Sequence, residues 1–296
     1  MQLRYLKNLQ PPVDGMSKVT SIAWSVNCTR LATVGADKIV QLFDEHGEKQ
    51  DRFSTKPQDK NSRIYTVKAI DFSPCGTKLA VAQTDNIVFV YKLGNDWKDK
   101  KAICNKFAQT SSATCLAWPN GHPNEIVFGL AEGKVKVGQL KSNKAATLYS
   151  TDSFVVSMCA GPDGNAILSG HLDGSIYRFC FETEQSPRPS TTKLAVTPTS
   201  VPYALAWGYA GIVAAGNDRA VRFWDAEGRE GQSFDYSSYE KIKEFTVAAF
   251  NPSGESVVLG NFNCFLVYVF NPRSREWSEV VQREVANLYT VTSFCW

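Results

Sequence analysis

The strongest constraint on the fold is a phrase that returns. VTSIAW, residues 19–24, comes back almost letter for letter as VTSFCW, residues 291–296. Between the two, apolar strand-end positions recur at Trp24, Phe72, Trp118, Ala160, Trp207, Phe250 and Trp296, spaced 48, 46, 42, 47, 43 and 46 residues apart. A period of that length signals an array of like structural units.

Each anchor is followed by the same grammar. The second copy reads VKAIDF, SPCGT, KLAVAQ, TDN and IVFVYKL over residues 67–93, which is three short strands separated by turn residues. Copies five and six repeat it within residues 204–225 and 247–270. Pro-Ser-Gly, Pro-Cys-Gly and Pro-Asp-Gly recur in the first turn, where proline presets φ and glycine supplies a positive one. The apolar runs are rich in Val, Ile, Phe and Tyr and are broken before a helix could complete three turns, so the chain reads as all-β.

About four strands in each unit of 40–48 residues resembles the WD40 family of β-propellers. The family dipeptide stands intact at Trp224-Asp225 and weakened at Phe43-Asp44. More persistent is an acidic or amide residue in the turn between the second and third strands: Asp37, Asp85, Glu132, Asp173, Asp218 and Asn263. A short acceptor there can bond nearby backbone N–H groups and fix the turn. The expectation is one seven-bladed propeller over residues 1–296, with blades near 17–57, 63–108, 110–150, 152–197, 199–238 and 244–284. Residues 288–296 would form the first strand of an incomplete seventh blade, and residues 3–9 its outer closing strand. Non-adjacent strands of one blade cannot pair, so the chain is expected to be a piece of a longer protein.

Composition bounds the function. Hydrophobic residues make up 43%, and 32 Lys and Arg against 29 Asp and Glu leave a net charge of +3, too small to mark a nucleic-acid-binding protein. The eight cysteines form no C-x-x-C pair and no metal-ligand cluster, residues 1–10 lack the apolar core of a secretion signal, and no apolar run reaches membrane-spanning length. The thiols are therefore expected to be reduced and cytosolic, with those inside strand patterns packed as small core residues. His46, His122 and His171 fall in three different repeats beside turn residues, and no nucleophile elbow, phosphate loop or zinc-protease motif is present. No catalytic, cofactor or metal site is expected.

Binding remains, and loops on a rigid scaffold are where it concentrates. Residues 56–63, KPQDKNSR, offer Lys56, Lys60 and Arg63; residues 94–101, GNDWKDKK, offer Trp97 among Lys98, Lys100 and Lys101; residues 182–193 are rich in Pro, Ser and Thr. Tryptophan is enriched at binding hot spots. The lysines suit an acidic partner or anionic lipid, although the Phe-Arg-Arg-Gly motif of phosphoinositide-binding propellers is absent.

Several words outside the repeat positions carry a closer resemblance: DEHGEKQDRFSTKP (44–57), QTDNIVFVYK (83–92), DKKAICNKF (99–107), VFGLAEGKVK (127–136), PYALAW (202–207) and IVAAGNDR (212–219). Together they resemble the N-terminal propeller of the family of largest peripheral subunits of the intraflagellar transport B complex. That resemblance implies a non-enzymatic adaptor of cilium and flagellum assembly, found in the cytoplasm, the cilium and its basal body. It also implies docking with other complex B subunits, including one with a calponin-homology domain, and some contact with membranes. The alternative is a coat-like propeller that meets anionic lipid through its basic loops.

Overall fold

A computed structural model describes residues 5–9, 18–59, 64–184, 186–262, 264–284 and 291–296. All regular structure among them is β: six four-stranded antiparallel sheets, each a simple meander. Blade one consists of Val19–Trp24, Leu31–Gly35, Ile39–Phe43 and Lys49–Ser54, and its strands pair in sequence order. Blades two to six repeat the plan, with inner strands at Val67–Phe72, Ala113–Ala117, Val155–Ala160, Ala204–Gly208 and Val247–Phe250. Each inner strand lies beside the next, giving the radial arrangement of a β-propeller.

The core explains why the middle strands read as unbroken apolar runs. Side chains alternate across a strand, and each blade is covered on both faces by its neighbours. In Lys78–Gln83, Leu79 and Val81 therefore pack towards blade one, while Ala80 and Ala82 pack towards blade three. Five buried clusters occupy the five contacts between consecutive blades, and no cluster is confined to a single blade. A blade on its own has no interior.

Turns supply the local logic. In the turn between second and third strands, the last residue takes a left-handed conformation at Lys38, Asn86, Gly133, Gly174 and Arg219. Asp37, Asp173 and Asp218 each accept the N–H two residues on, at 3.2, 3.0 and 3.3 Å. Asp85 and Glu132 act differently: Asp85 accepts from the Gln58 N–H at 2.7 Å, and Glu132 accepts from the Thr110 hydroxyl at 3.0 Å. Asn263 lies outside the described residues. In the first turn, Gly76, Gly164 and Gly254 all take positive φ, and Cys28 fills the equivalent place in blade one with φ of 55°.

Residues 291–296 form no strand, contrary to the sequence expectation, because no other described segment runs beside them as a ladder partner. One backbone bond, from the Val291 N–H to the Asn261 carbonyl at 3.2 Å, and several side chains hold them instead. The Thr246 hydroxyl donates to the Val291 carbonyl at 2.5 Å on the blade-six side, and the Thr292 hydroxyl donates to the Val19 carbonyl at 3.1 Å on the blade-one side. Residues 5–9 are likewise non-regular, with Lys7 paired to Glu48 at 2.5 Å in the last turn of blade one. Residues 3–4 and 288–290 lie outside the described part.

Candidate docking surfaces

The meander places the connections at two opposite ends of the sheets. At one end lie the turns between second and third strands together with the links from blade to blade; at the other lie the two remaining turns of each blade. The two basic loops singled out in the sequence therefore stand at opposite ends. Residues 55–66 link blades one and two, whereas residues 93–101 join the third and outer strands of blade two.

The 93–101 loop divides its side chains. Arg30, 8% exposed, donates to the Gly94 carbonyl at 2.8 Å and to that of Asn95, and its guanidinium lies 4.8 Å from the centre of the Trp97 ring. Trp97 packs onto the core between blades one and two. Lys101 has a side chain only 9% exposed; it pairs with Asp51 at 2.5 Å and donates to the Trp97 carbonyl. Asp99 accepts the N–H groups of Asn95 and Asp96 at 2.9 and 3.1 Å. A Cβ on Gly94 would fall 2.1 Å from that carboxylate, so only glycine fits the bend, at φ of 82°. Lys98 and Lys100 are left outside, exposed. Trp97 and Lys101 thus fasten the loop, while Lys98 and Lys100 are what it displays.

At the other end Lys56 is exposed, and its N–H donates to the Tyr91 hydroxyl at 3.0 Å. Beneath it, the Tyr65 hydroxyl meets Thr55, and the Lys38 ammonium sits 4.4 Å from the Tyr65 ring centre. Burial and the nearby Asp85 charge push both tyrosines above the ordinary phenol range, Tyr91 to about 12. Lys60 and Arg63 lie outside the described residues.

A surface that sequence reading missed lies at this same end, on blades four to six. Phe154, Leu172, Tyr203, Tyr239 and Phe262 are exposed at 53%, 45%, 40%, 56% and 40%, and all sit in its turns and links. Phe154 and Leu172 edge a depression of about 770 Å³ with Asp152, Asp173, Tyr177 and Lys193. Ser153, which lines it, ends a buried polar chain. The Tyr149 hydroxyl meets Ser169 at 2.6 Å, Ser169 meets His171 Nε2 at 2.8 Å, and His171 Nδ1 lies 3.1 Å from the Ser153 carbonyl. That geometry suits a neutral imidazole donating from Nδ1 to Ser153 and accepting at Nε2. Burial accordingly holds the His171 pKa below the usual histidine value. The residue clamps the 151–154 link that presents Phe154.

Chemistry has no comparable centre. Among the described residues no group of three His, Cys, Asp or Glu side chains could hold a metal. His122 stacks on Phe181 at 3.9 Å and pairs with Glu125 at 2.9 Å, and His46 is exposed beside Glu45. No disulfide joins any of the eight cysteines; Cys115 and Cys264 are buried, but Cys104, on a bulge of an outer strand, is exposed, so strand position alone did not put it in the core.

Repeats, blades and turns define a WD40-repeat protein, and the family model for "WD domain, G-beta repeat" matches residues 9–44 and 142–179. More particularly, the whole chain is 48% identical over 301 residues to "Intraflagellar transport protein 172" of Chlamydomonas reinhardtii and 50% identical over 298 residues to its Rattus norvegicus homolog. It is 35% identical over 298 residues to "Intraflagellar transport protein osm-1" of Caenorhabditis elegans. In each case the match covers 100% of this chain and 17% of the relative, in the N-terminal part of the protein 172 relatives.

Proposed function

We propose that this chain is a non-enzymatic docking ring of the intraflagellar transport B complex, acting as an adaptor in cilium and flagellum assembly. The observation that carries this reading is identity near one half along the entire chain to relatives named for intraflagellar transport. The exposed aromatic and aliphatic side chains at one end of the ring support it, since clustered apolar side chains on a folded surface mark interaction sites. Its partners are other complex B subunits, one of them with a calponin-homology domain. The sites of action are the cytoplasm, the cilium and the basal body.

The domain reading is a single seven-bladed propeller. Ser21 accepts the Ile70 N–H at 3.2 Å across blades one and two, and Ser293 accepts the Ile22 N–H at 3.4 Å. Donor and acceptor occupy the same places in the repeat both times, which supports residues 291–296 as the innermost segment of a seventh blade between blades six and one.

A second reading is direct contact with anionic lipid through the exposed lysines. Lys56 stands at one end of the ring and Lys98 and Lys100 at the other, so a single membrane plane cannot engage both.

Capture of purified complex B subunits by this chain tests the adaptor reading. At least one subunit is expected to be retained, and to be lost with F154D/L172D at unchanged thermal stability. Retention of none overturns the adaptor role; retention by the double variant overturns the apolar end as the docking site, in favour of the Trp97, Lys98, Lys100 and Lys101 loop or of Lys56, Lys60 and Arg63.

A further inference from the structure

We infer that the depression between blades five and six, at the apolar end of the ring, binds a protein segment that carries a carboxylate beside an apolar side chain. The inference rests on the adaptor reading only in taking the ligand to be a protein.

The depression has a volume of about 580 Å³ and is lined by Asn217, Arg219, Lys243, Glu244, Thr246 and Phe262. Three segments meet there: the turn between second and third strands of blade five, the link from blade five to blade six, and the corresponding turn of blade six. Hydrogen bonds lock the three together. Phe245, fully buried, donates its N–H to the Gly216 carbonyl at 3.1 Å and ties the link to blade five. Asn261, also fully buried, ties it to blade six through both backbone groups of one residue. Its side-chain oxygen accepts the Lys243 N–H at 3.1 Å, and its amide donates to the Lys243 carbonyl at 2.6 Å. The backbones that carry Arg219, Lys243 and Phe262 are therefore fixed relative to one another.

Two cations of the lining lack an anion. Arg219 is half-buried and Lys243 exposed, and among the described residues neither forms an ion pair. Asp218 does not serve them, because it pairs with Arg222 at 2.6 Å and accepts the Ser200 hydroxyl at 2.7 Å. Glu244 is the one carboxylate of the lining, so two cations against one anion leave the depression at +1.

Arg219 also holds an unfavourable backbone state. Its φ is 61°, and glycine takes the same place of the turn at Gly133 and Gly174. Left-handed geometry disfavours a residue with a Cβ, so glycine would suit this turn better than arginine does. What arginine adds is its guanidinium, a fork shaped for a carboxylate.

Phe262 supplies the apolar part of the site. Its ring is 40% exposed in the same lining, so an acidic residue held by Arg219 and Lys243 brings an adjoining apolar side chain against it. An anionic bilayer fits less well. The same end of the ring carries Asp152 and Asp173 around the blade-four depression, carboxylates that a membrane laid across it would have to face.

The test is fluorescence anisotropy with a labelled acidic decapeptide, GSGEFEEGSG, its lysine counterpart GSGKFKKGSG and phosphatidylserine-containing vesicles, at an ionic strength of about 0.05 M to limit screening. R219G is expected to weaken binding of the acidic peptide about tenfold or more, and K243S about threefold or more. R219G should also keep or raise the thermal midpoint, since glycine accepts a positive φ freely. R275G makes the same change at another arginine of positive φ, 57°, in a turn at the opposite end, and should alter binding less than about twofold. No binding of the acidic peptide, equal binding of the lysine counterpart, equal losses in R219G and R275G, or unchanged binding in K243S would each overturn the proposal. So would a lowered midpoint in R219G, which would make the guanidinium a structural group, or R219G-sensitive binding that is tighter to vesicles than to the peptide. Subunit capture distinguishes the readings: the adaptor role fails if no complex B subunit is retained, whatever the peptide does.

Discussion

Blades two and three and blades four to six are built on one plan and present opposite surfaces. Both sets bury alternate side chains of their middle strands against neighbours on either side. Yet from residue 65 to 150 the first set exposes lysines and no large apolar side chain, while the second exposes Phe154, Leu172, Tyr203, Tyr239 and Phe262 at one end of the ring. The exposed apolar side chains all lie in turns and links, which the repeat leaves free once the strands are fixed. A ring of this kind can carry unrelated binding chemistries without altering its core.

The comparison breaks first at the fastening of the basic loop. Arg30→Ala uncovers Trp97 and leaves the Gly94 and Asn95 carbonyls without their donor, and should cost about 2–4 kcal/mol in urea unfolding. An effect near zero would mean that the loop is not held from blade one. A smaller effect separates two lysines of the same loop. Lys101→Met removes the partner of Asp51, and because that carboxylate is 30% exposed the expected loss is only about 1–2 kcal/mol. Lys100→Met, at an exposed position, should stay within about 0.5 kcal/mol of the parent. Equal losses would erase the division between residues that fasten and residues that display.

Acid should act on the two regions with opposite sign. His171 has a lowered folded pKa, so the unfolded chain takes up its proton first. Stability around blade four is full above about pH 6.5 and declines as pH falls below that value. Asp71 is pushed up to about 7 by burial, outweighing the two N–H groups it accepts. The folded chain therefore holds that proton more tightly, and stability around blade two declines as pH rises from about 4 towards 7. Native-state hydrogen exchange at pH 5.5 and 7.5, resolved by region, would show protection moving in opposite directions in the strands around Ser169 and those around Asp71. Parallel changes would contradict both assignments.

The sequence made the scaffold readable because burial on two faces writes itself as short apolar runs, such as KLAVAQ and IVFVYKL, cut by turn residues at a steady period. It made the surfaces only partly readable. Lys98 and Lys100 were visible as exposed charge, but Trp97 looks the same on paper whether it faces a partner or Arg30, which precedes it by more than sixty residues. Phe154 and Leu172 belong to different turns of the repeat; only the direction of each turn brings them together. The Ser293 bond to Ile22 was implicit in the repeated VTS, since Ser21 makes the same bond to Ile70.

The most direct test of the account is capture of complex B subunits by three forms of the chain: the parent, F154D/L172D and K98E/K100E. The account predicts that the parent retains at least one subunit, and that the apolar-end double loses a subunit which the lysine double keeps, all three melting at the same temperature. Retention of no subunit by the parent, or the same pattern for both doubles, would contradict a docking ring with separate surfaces at its two ends.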